Sequence, residues 1–170
     1  DYHVIINPDI HLIEGALETL ISYLERHPEV AMVTPKILNL DGTEQFLPKR
    51  RPRLRYLVGG RVGCFHKYRE EYTRQHEVFD GPTPIDLCTG CFMLVRTEIL
   101  KQVGGFDPRY FMYFEDADLT REVQRYGKVV FNPEAAVYHA WERGDTHSFK
   151  LLGIHVLSML RYIHKWHGKP

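Results

Sequence analysis

Apolar and polar positions along this chain keep two rhythms, and the switches between them predict its elements. Val4-Ile5-Ile6 is a short apolar run that reads as a buried strand, broken by Asn7-Pro8-Asp9, where Pro8 forces the backbone off a sheet. Leu12, Ala16, Leu17, Leu20, Ile21 and Leu24 then recur at helical spacing, which predicts an amphipathic helix over about 12–26, with Pro28 just past its end. Val30 to Val33 reads as a second strand ended by Pro35, and Asp41-Gly42 marks a turn. From 44 to 84 the rhythm fades into a stretch holding Pro48, Pro52, Gly59, Gly60, Gly63, Gly81, Pro82 and Pro84, which reads as a long loop with one short helix.

Regularity returns with Ile85 to Val95, a strand in which Gly90 marks a bulge or a close approach. Thr97 is placed to cap a short helix over 98–102, and Gly104-Gly105 to stop it. A helix is predicted from Glu115 to Tyr126 with Gly127 at its C′ position, then strand pieces Val129–Phe131 and Ala136–Tyr138 around Asn132-Pro133. Leu152, Val156, Met159, Ile163 and Trp166 define a last amphipathic helix. Strands alternating with helices predict an α/β sandwich with a mixed sheet.

Composition narrows the function more than the fold. The 170 residues are enough for one domain with a real core, at 44% hydrophobic and 12% aromatic content. Lys plus Arg and Asp plus Glu each number 22, and a net charge of zero argues against a general nucleic-acid binder. Cys64, Cys88 and Cys91 are too few for a disulfide scaffold and favour a reducing compartment. No apolar run reaches the length of a membrane span. Because Asp1 to Ile6 reads as an interior strand, a preceding portion is expected to be missing.

The chemistry concentrates in Gly104 to Leu119, where Glu115, Asp116 and Asp118 follow five aromatics within nine residues. Apolar surroundings raise the cost of ionising a carboxylic acid, which is one route to a usable general base. The same three residues would also suit a helix N-terminus on electrostatic grounds alone. Cys88-Thr89-Gly90-Cys91 has the spacing of half a zinc site or a redox pair, without a second such pair to complete it. The basic run Lys49-Arg50-Arg51-Pro52-Arg53-Leu54-Arg55 would serve an anionic diphosphate, a lipid-diphosphate acceptor, a membrane surface or a solvated loop equally well. His155, Arg161, His164, Lys165 and His167 lie beside Tyr162 and Trp166 in the last helix, which suits either a membrane interface or packing on the domain.

The run GGFDPRYFMYFEDADL resembles the Glu-Asp motif of family 2 inverting glycosyltransferases, usually GGFDE-x-[FY]-F-x-Y-x-ED-x-DL. Asn7-Pro8-Asp9, the strand Thr89 to Arg96 and the His after the next strand extend the resemblance over nearly the whole chain. It implies a GT-A-like α/β/α sandwich lacking the N-terminal nucleotide-binding strands, with 1–170 as one domain and 144–170 as its C-terminal loop and amphipathic helix. It implies a rhamnosyltransferase-like enzyme that moves a sugar from a UDP- or dTDP-sugar donor to a saccharide or lipid-linked acceptor, on the cytoplasmic side and at the inner face of the membrane. Asp116 matches the base and Glu115 its neighbour. Asp9, helped by His139, matches the ligands of Mn2+ or Mg2+. Asn7, Gly90, Arg96, Tyr113 and Asp118 fall at donor- or acceptor-binding positions, and Arg143 to Ser148 at a loop that orders over the donor. The rival reading is a non-catalytic saccharide- or lipid-binding module on the same scaffold.

Overall fold

The structure, a computed structural model, describes residues 1–46, 48–53, 56, 66–74, 76–140 and 149–169. Within them lie strands β1 (Tyr2–Ile6) and β2 (Ile10–Leu12), helix α1 (Ala16–Arg26), strand β3 (Val30–Leu38), helix α2 (His66–Thr73), and strands β4 (Thr83–Pro84) and β5 (Phe92–Arg96). Helices α3 (Thr97–Val103) and α4 (Glu115–Val123), strand β6 (Lys128–His139) and helix α5 (Phe149–Trp166) follow. Gly59, Gly60, Gly63, Cys64, Leu54, Arg55 and the loop Arg143 to Ser148 lie outside the described residues.

One mixed sheet runs in the order β1-β5-β3-β6-β2, with β4 also on β6. β3 and β6 are parallel; every other pairing is antiparallel. Alternation along β5 sends Phe92 and Leu94 to one face and Met93 and Val95 to the other. The first face is covered by Leu20, Tyr23 and Leu24 of α1, the second by Ile99 of α3 and Leu119 and Val123 of α4. A sheet covered on both faces by helices is the α/β/α sandwich that the resemblance implies, built on the mixed sheet that the alternating pattern predicts.

Several features differ from the sequence reading; α3, for one, begins at Thr97, with Arg96 and not Thr97 at its N-cap. β1 is a sheet edge, so Val4 and Ile6 are exposed instead of buried. The predicted strand from Ile85 begins only at Phe92, and Gly90 lies in the turn before it. Leu12 belongs to β2, and α1 starts after Gly15, whose φ of 79° turns the chain into the helix. Pro35 does not end β3, and Asn132-Pro133 does not divide β6. The two breakers meet across the β3–β6 ladder, where the register jumps from Pro35↔Asn132 to Lys36↔Ala136. Both prolines fall at that bulge, so their missing N–H groups cost no regular ladder bond. The helix predicted to run to Tyr126 ends at Val123 with Gln124 at its C-cap, so Gly127 is not its C′ residue; Gly127 serves close contact instead, since a Cβ there would stand 2.8 Å from the Glu29 carbonyl.

Candidate active site

β3 and β6 both end at one edge of the sheet, and the irregular segments gather outside it, where open α/β sheets hold ligands. Asn7-Pro8-Asp9 crosses that edge. The Asn7 N–H donates to the Cys91 carbonyl at 3.0 Å beside β5, and three residues later β2 has joined β6 through Ile10↔His139. Pro8 is what prevents β1 from running straight on. The crossing sets Asp9 against His139, with Oδ2 3.3 Å from Nε2.

The protonation pattern at His139 follows from its neighbours. Gln45 spends its two amide hydrogens on Asn39 Oδ1 (2.8 Å) and the His139 carbonyl (3.0 Å). Its Oε1 is therefore the acceptor 2.9 Å from His139 Nδ1, which must carry a proton. Nε2 is left to face the carboxylate. Yet Nε2 and Asp9 Oδ1 are both buried and make no hydrogen bond. A carboxylate oxygen and an imidazole nitrogen, oriented by a partner on the far ring nitrogen and left unsatisfied, fit a divalent cation. Among the described residues no third His, Cys, Asp or Glu completes such a cluster, so these two side chains would supply only part of a coordination shell.

The carboxylates arrive from the opposite side. Before α4, Tyr113 and Phe114 both take left-handed backbone angles, φ 67° and 65°. Two such non-glycine residues in succession store strain, as functional turns often do. The turn delivers Glu115 and Asp116 to the first turn of α4. Asp116 accepts hydrogen bonds from the N–H groups of Gly90 (3.2 Å) and Ala117 (2.7 Å). Burial nevertheless raises its carboxyl above the usual aspartate range, outweighing those bonds and the charge of Lys49. Burial also raises Glu115, with the charge of Asp116 adding to it, and Glu115 Oε2 is buried without a partner. Gly90 leaves open the space beside Asp116: a Cβ there would lie 3.4 Å from that of Asp116, an ordinary contact. The Thr120 hydroxyl, fully buried, donates to the Asp116 carbonyl at 2.7 Å and accepts from the Cys88 N–H at 3.2 Å, fastening the 88–90 turn to α4.

A cleft of about 500 Å³ joins these parts, lined by Asn7, Gln45, Lys49, Gly90, Tyr113, Glu115, Asp116 and His139 among others. A second hollow of about 280 Å³, lined by Pro52, Tyr72, Leu87, Phe114 and His155, shares Lys49, Tyr113, Glu115 and Asp116 with it. The two carboxylates thus stand between two cavities, the larger lined by strand ends with Ile5, Ile6, Phe106 and Met112 beside its polar groups, the smaller by several rings. Gln45, Lys49 and Tyr72 have no motif to mark them; only Lys49, in the basic run, left a trace in the sequence.

Two predicted binding residues are turned elsewhere. Arg96 donates to the carbonyls of Val30 (2.9 Å), Leu24 (2.6 Å) and His27 (3.2 Å), closing the end of α1 at the far end of β5. Asp118 is buried under α5, accepting from Lys165 Nζ (2.7 Å) and Trp166 Nε1 (2.7 Å). Its place one helical turn past Phe114 points it away from the cleft. Cys88 and Cys91 are buried free thiols raised by burial, Cys91 to about 12, the reverse of what a redox pair needs.

Comparison with known proteins agrees with this architecture. Residues 4–152 match the model of the family described as glycosyltransferase like family 2. The chain is 32% identical over 145 residues to N-acetylglucosaminyl-diphospho-decaprenol L-rhamnosyltransferase of Mycobacterium tuberculosis, covering 82% of this chain and 47% of that protein. It is 30% identical over 169 residues to the rhamnosyltransferase WbbL of Escherichia coli K12, covering 96% of this chain and 61% of that protein. The chain therefore spans about half the length of the curated relatives it matches. Among solved structures, GalNAc-T7 with UDP, GalNAc and Mn2+ superimposes with a TM-score of 0.62 at 12% identity, over 98% of this chain and 32% of that one, a likeness of fold.

Proposed function

The chain belongs to glycosyltransferase family 2, and from that premise we propose that it carries the reacting centre of an inverting, rhamnosyl-type transferase with a nucleotide-diphosphate-sugar donor. The observation that carries this reading is Asp116: a carboxylate made more basic by burial, held by Gly90 and Ala117, and reachable from two cavities at once. An acceptor hydroxyl in the ring-lined hollow meets Asp116 on one side, while the donor's anomeric carbon lies in the larger cleft on the other. The acceptor oxygen bonds to that carbon as its proton passes to Asp116. The bond from the carbon to the diphosphate oxygen breaks on the opposite face, with inversion, and the nucleotide diphosphate leaves.

Asn7 and Lys49 line the donor side, where the leaving diphosphate collects negative charge. Asp9 and His139 would hold Mn2+ or Mg2+, which supplies charge neutralisation for that leaving group. Glu115 keeps the acceptor hydroxyl oriented, and Tyr113 lines both cavities beside it. The acceptor class is a saccharide or lipid-linked saccharide, in surface polysaccharide assembly on the cytoplasmic side of the membrane. The relative that acts on a decaprenol-linked substrate and the ring-lined hollow both support that choice.

The test is sugar transfer by the full-length protein from UDP- and dTDP-sugars with Mn2+, wild type against Asp116→Asn. Product of inverted anomeric configuration, lost in the variant while the fold is kept, supports the reading. Equal turnover removes Asp116 as the base. Saccharide binding without turnover in either protein would establish the non-catalytic module instead.

A further inference from the structure

Helix α5 has two apolar faces, and only one is covered. Tyr162, Trp166 and Met159 turn inward onto Tyr110, Phe114 and Ala117. Phe149, Leu152, Val156, Leu157 and Leu160, which share the opposite face, are exposed by 91, 46, 36, 48 and 55%. Five adjoining exposed aliphatic and aromatic side chains on one helix are not the scattered apolar residues of an ordinary surface. The charge around them is one-sided. The whole chain is neutral, yet residues 149–170 hold 4 Lys or Arg and 3 His and no Asp or Glu. Lys165 is spent internally on Asp107, Asp118 and Glu122, whereas Lys150, His164 and His167 are exposed at the border of the stripe, as is Arg161, which also donates to the Arg109 carbonyl.

We propose that this outward face of α5 is a membrane-contact surface, which seats the helix in the interfacial layer of an anionic bilayer with the stripe in the acyl boundary and the basic border among the head groups. An apolar stripe with a cationic flank and no acid is the pattern that binds such a surface. A second protein copy would not need the missing acids. The helix lies on the membrane: among the described residues, none is long and apolar enough to cross one.

The position gives the contact a use. The Ser158 hydroxyl donates to the Met112 carbonyl at 2.8 Å, and the Tyr113 and Phe114 rings pack on His155, one tilted and one edge-on. Helix α5 thereby holds the turn that presents Glu115 and Asp116. Phe111 and Met112 of that turn are 78 and 38% exposed, and Met112 also lines the cleft. The cleft thus lies one turn of chain from the proposed membrane surface. The contact stands whether or not the transfer reading holds, because it is read without turnover.

The experiment is co-sedimentation of the protein with phosphatidylcholine vesicles, with and without phosphatidylglycerol. The wild type is expected to bind the anionic vesicles more tightly. Leu152→Glu with Leu157→Glu should weaken binding roughly tenfold or more, and Lys150→Glu about fivefold. All three positions are exposed, so unchanged circular dichroism and melting temperature are expected; Phe149→Ser gives an independent second variant. Failure to bind either vesicle, wild-type binding by the variants, or indifference to phosphatidylglycerol would overturn the proposal. So would a wild-type dimer by sedimentation that the same variants dissociate without any vesicle binding, since the face would then be an interface between copies.

Discussion

Asp116 illustrates how much a single residue's surroundings decide. The motif singles it out from the sequence, but its basicity depends on being enclosed by Gly90, Ala117 and the 88–90 turn. Asp116→Asn should lower kcat about 10²- to 10⁴-fold with little change in KM, as measured by initial rates over donor concentration. The same substitution should not destabilise the fold at neutral pH. Burial raises the folded-state carboxyl above its unfolded value, so between those two values the folded state holds more protons and wild-type stability falls as pH rises. Asp116→Asn removes that loss, and its melting temperature relative to wild type should rise from acid to neutral pH. Gly90→Ala is the companion prediction. Its backbone is not left-handed, and the new methyl meets Asp116 at an ordinary contact distance of 3.4 Å. The variant should fold with a melting temperature near wild type yet lose activity, because the added carbon occupies the space beside the base. Glu115, Asn7, Gly90 and Tyr113 also reach the cleft as the sequence led one to expect. Arg96 and Asp118 do not, because a residue type at a motif position says nothing about which way the backbone turns its side chain.

At the scale of elements, the third carboxylate of the motif works as a fastener. Asp118 on α4 gathers Lys165 and Trp166 of α5 and the hydroxyl of Tyr110 (3.3 Å). Lys165 is drawn down by burial, but its hydrogen bonds to Asp118 and Glu122 outweigh that and raise it. Arg121 lies over the Trp166 ring at 4.3 Å and closes the same joint. Removing one member of a buried ion pair leaves its partner unpaired, so Asp118→Ala should cost about 3 kcal/mol, read from urea unfolding, with α5 loosening first. Hydrogen exchange should then rise in α5 and in the 110–114 turn more than in the sheet. Periodicity located α1, α4 and α5 to within a few residues. It failed where two elements interrupt each other: Pro35 and Asn132-Pro133 each look like strand ends alone, and only their meeting at one bulge lets both strands continue.

Across the whole molecule, the metal-binding proposal depends on two residues 130 positions apart, joined because β2 pairs with the end of β6. Asp9→Asn and His139→Asn should each abolish most of the Mn2+ stimulation of transfer, and the double variant should be little worse than either, since the two act as a unit. EDTA should mimic the double variant, and Gln45→Ala should weaken Mn2+ about 10-fold or more by freeing the imidazole that it orients. Taken alone, the sequence determined the alternation of strands and helices, the approximate places of the main helices, the acidic turn and its family. Those are local properties, set by side-chain spacing, proline and glycine. The tertiary structure decided which strand lies at an edge, that Asp118 faces α5, that Gln45 fixes the His139 tautomer, and that Lys49, Asp116 and Glu115 stand between two cavities. Each of these depends on contacts between distant segments, and such contacts are selected by the packing of whole faces, which no local spacing encodes.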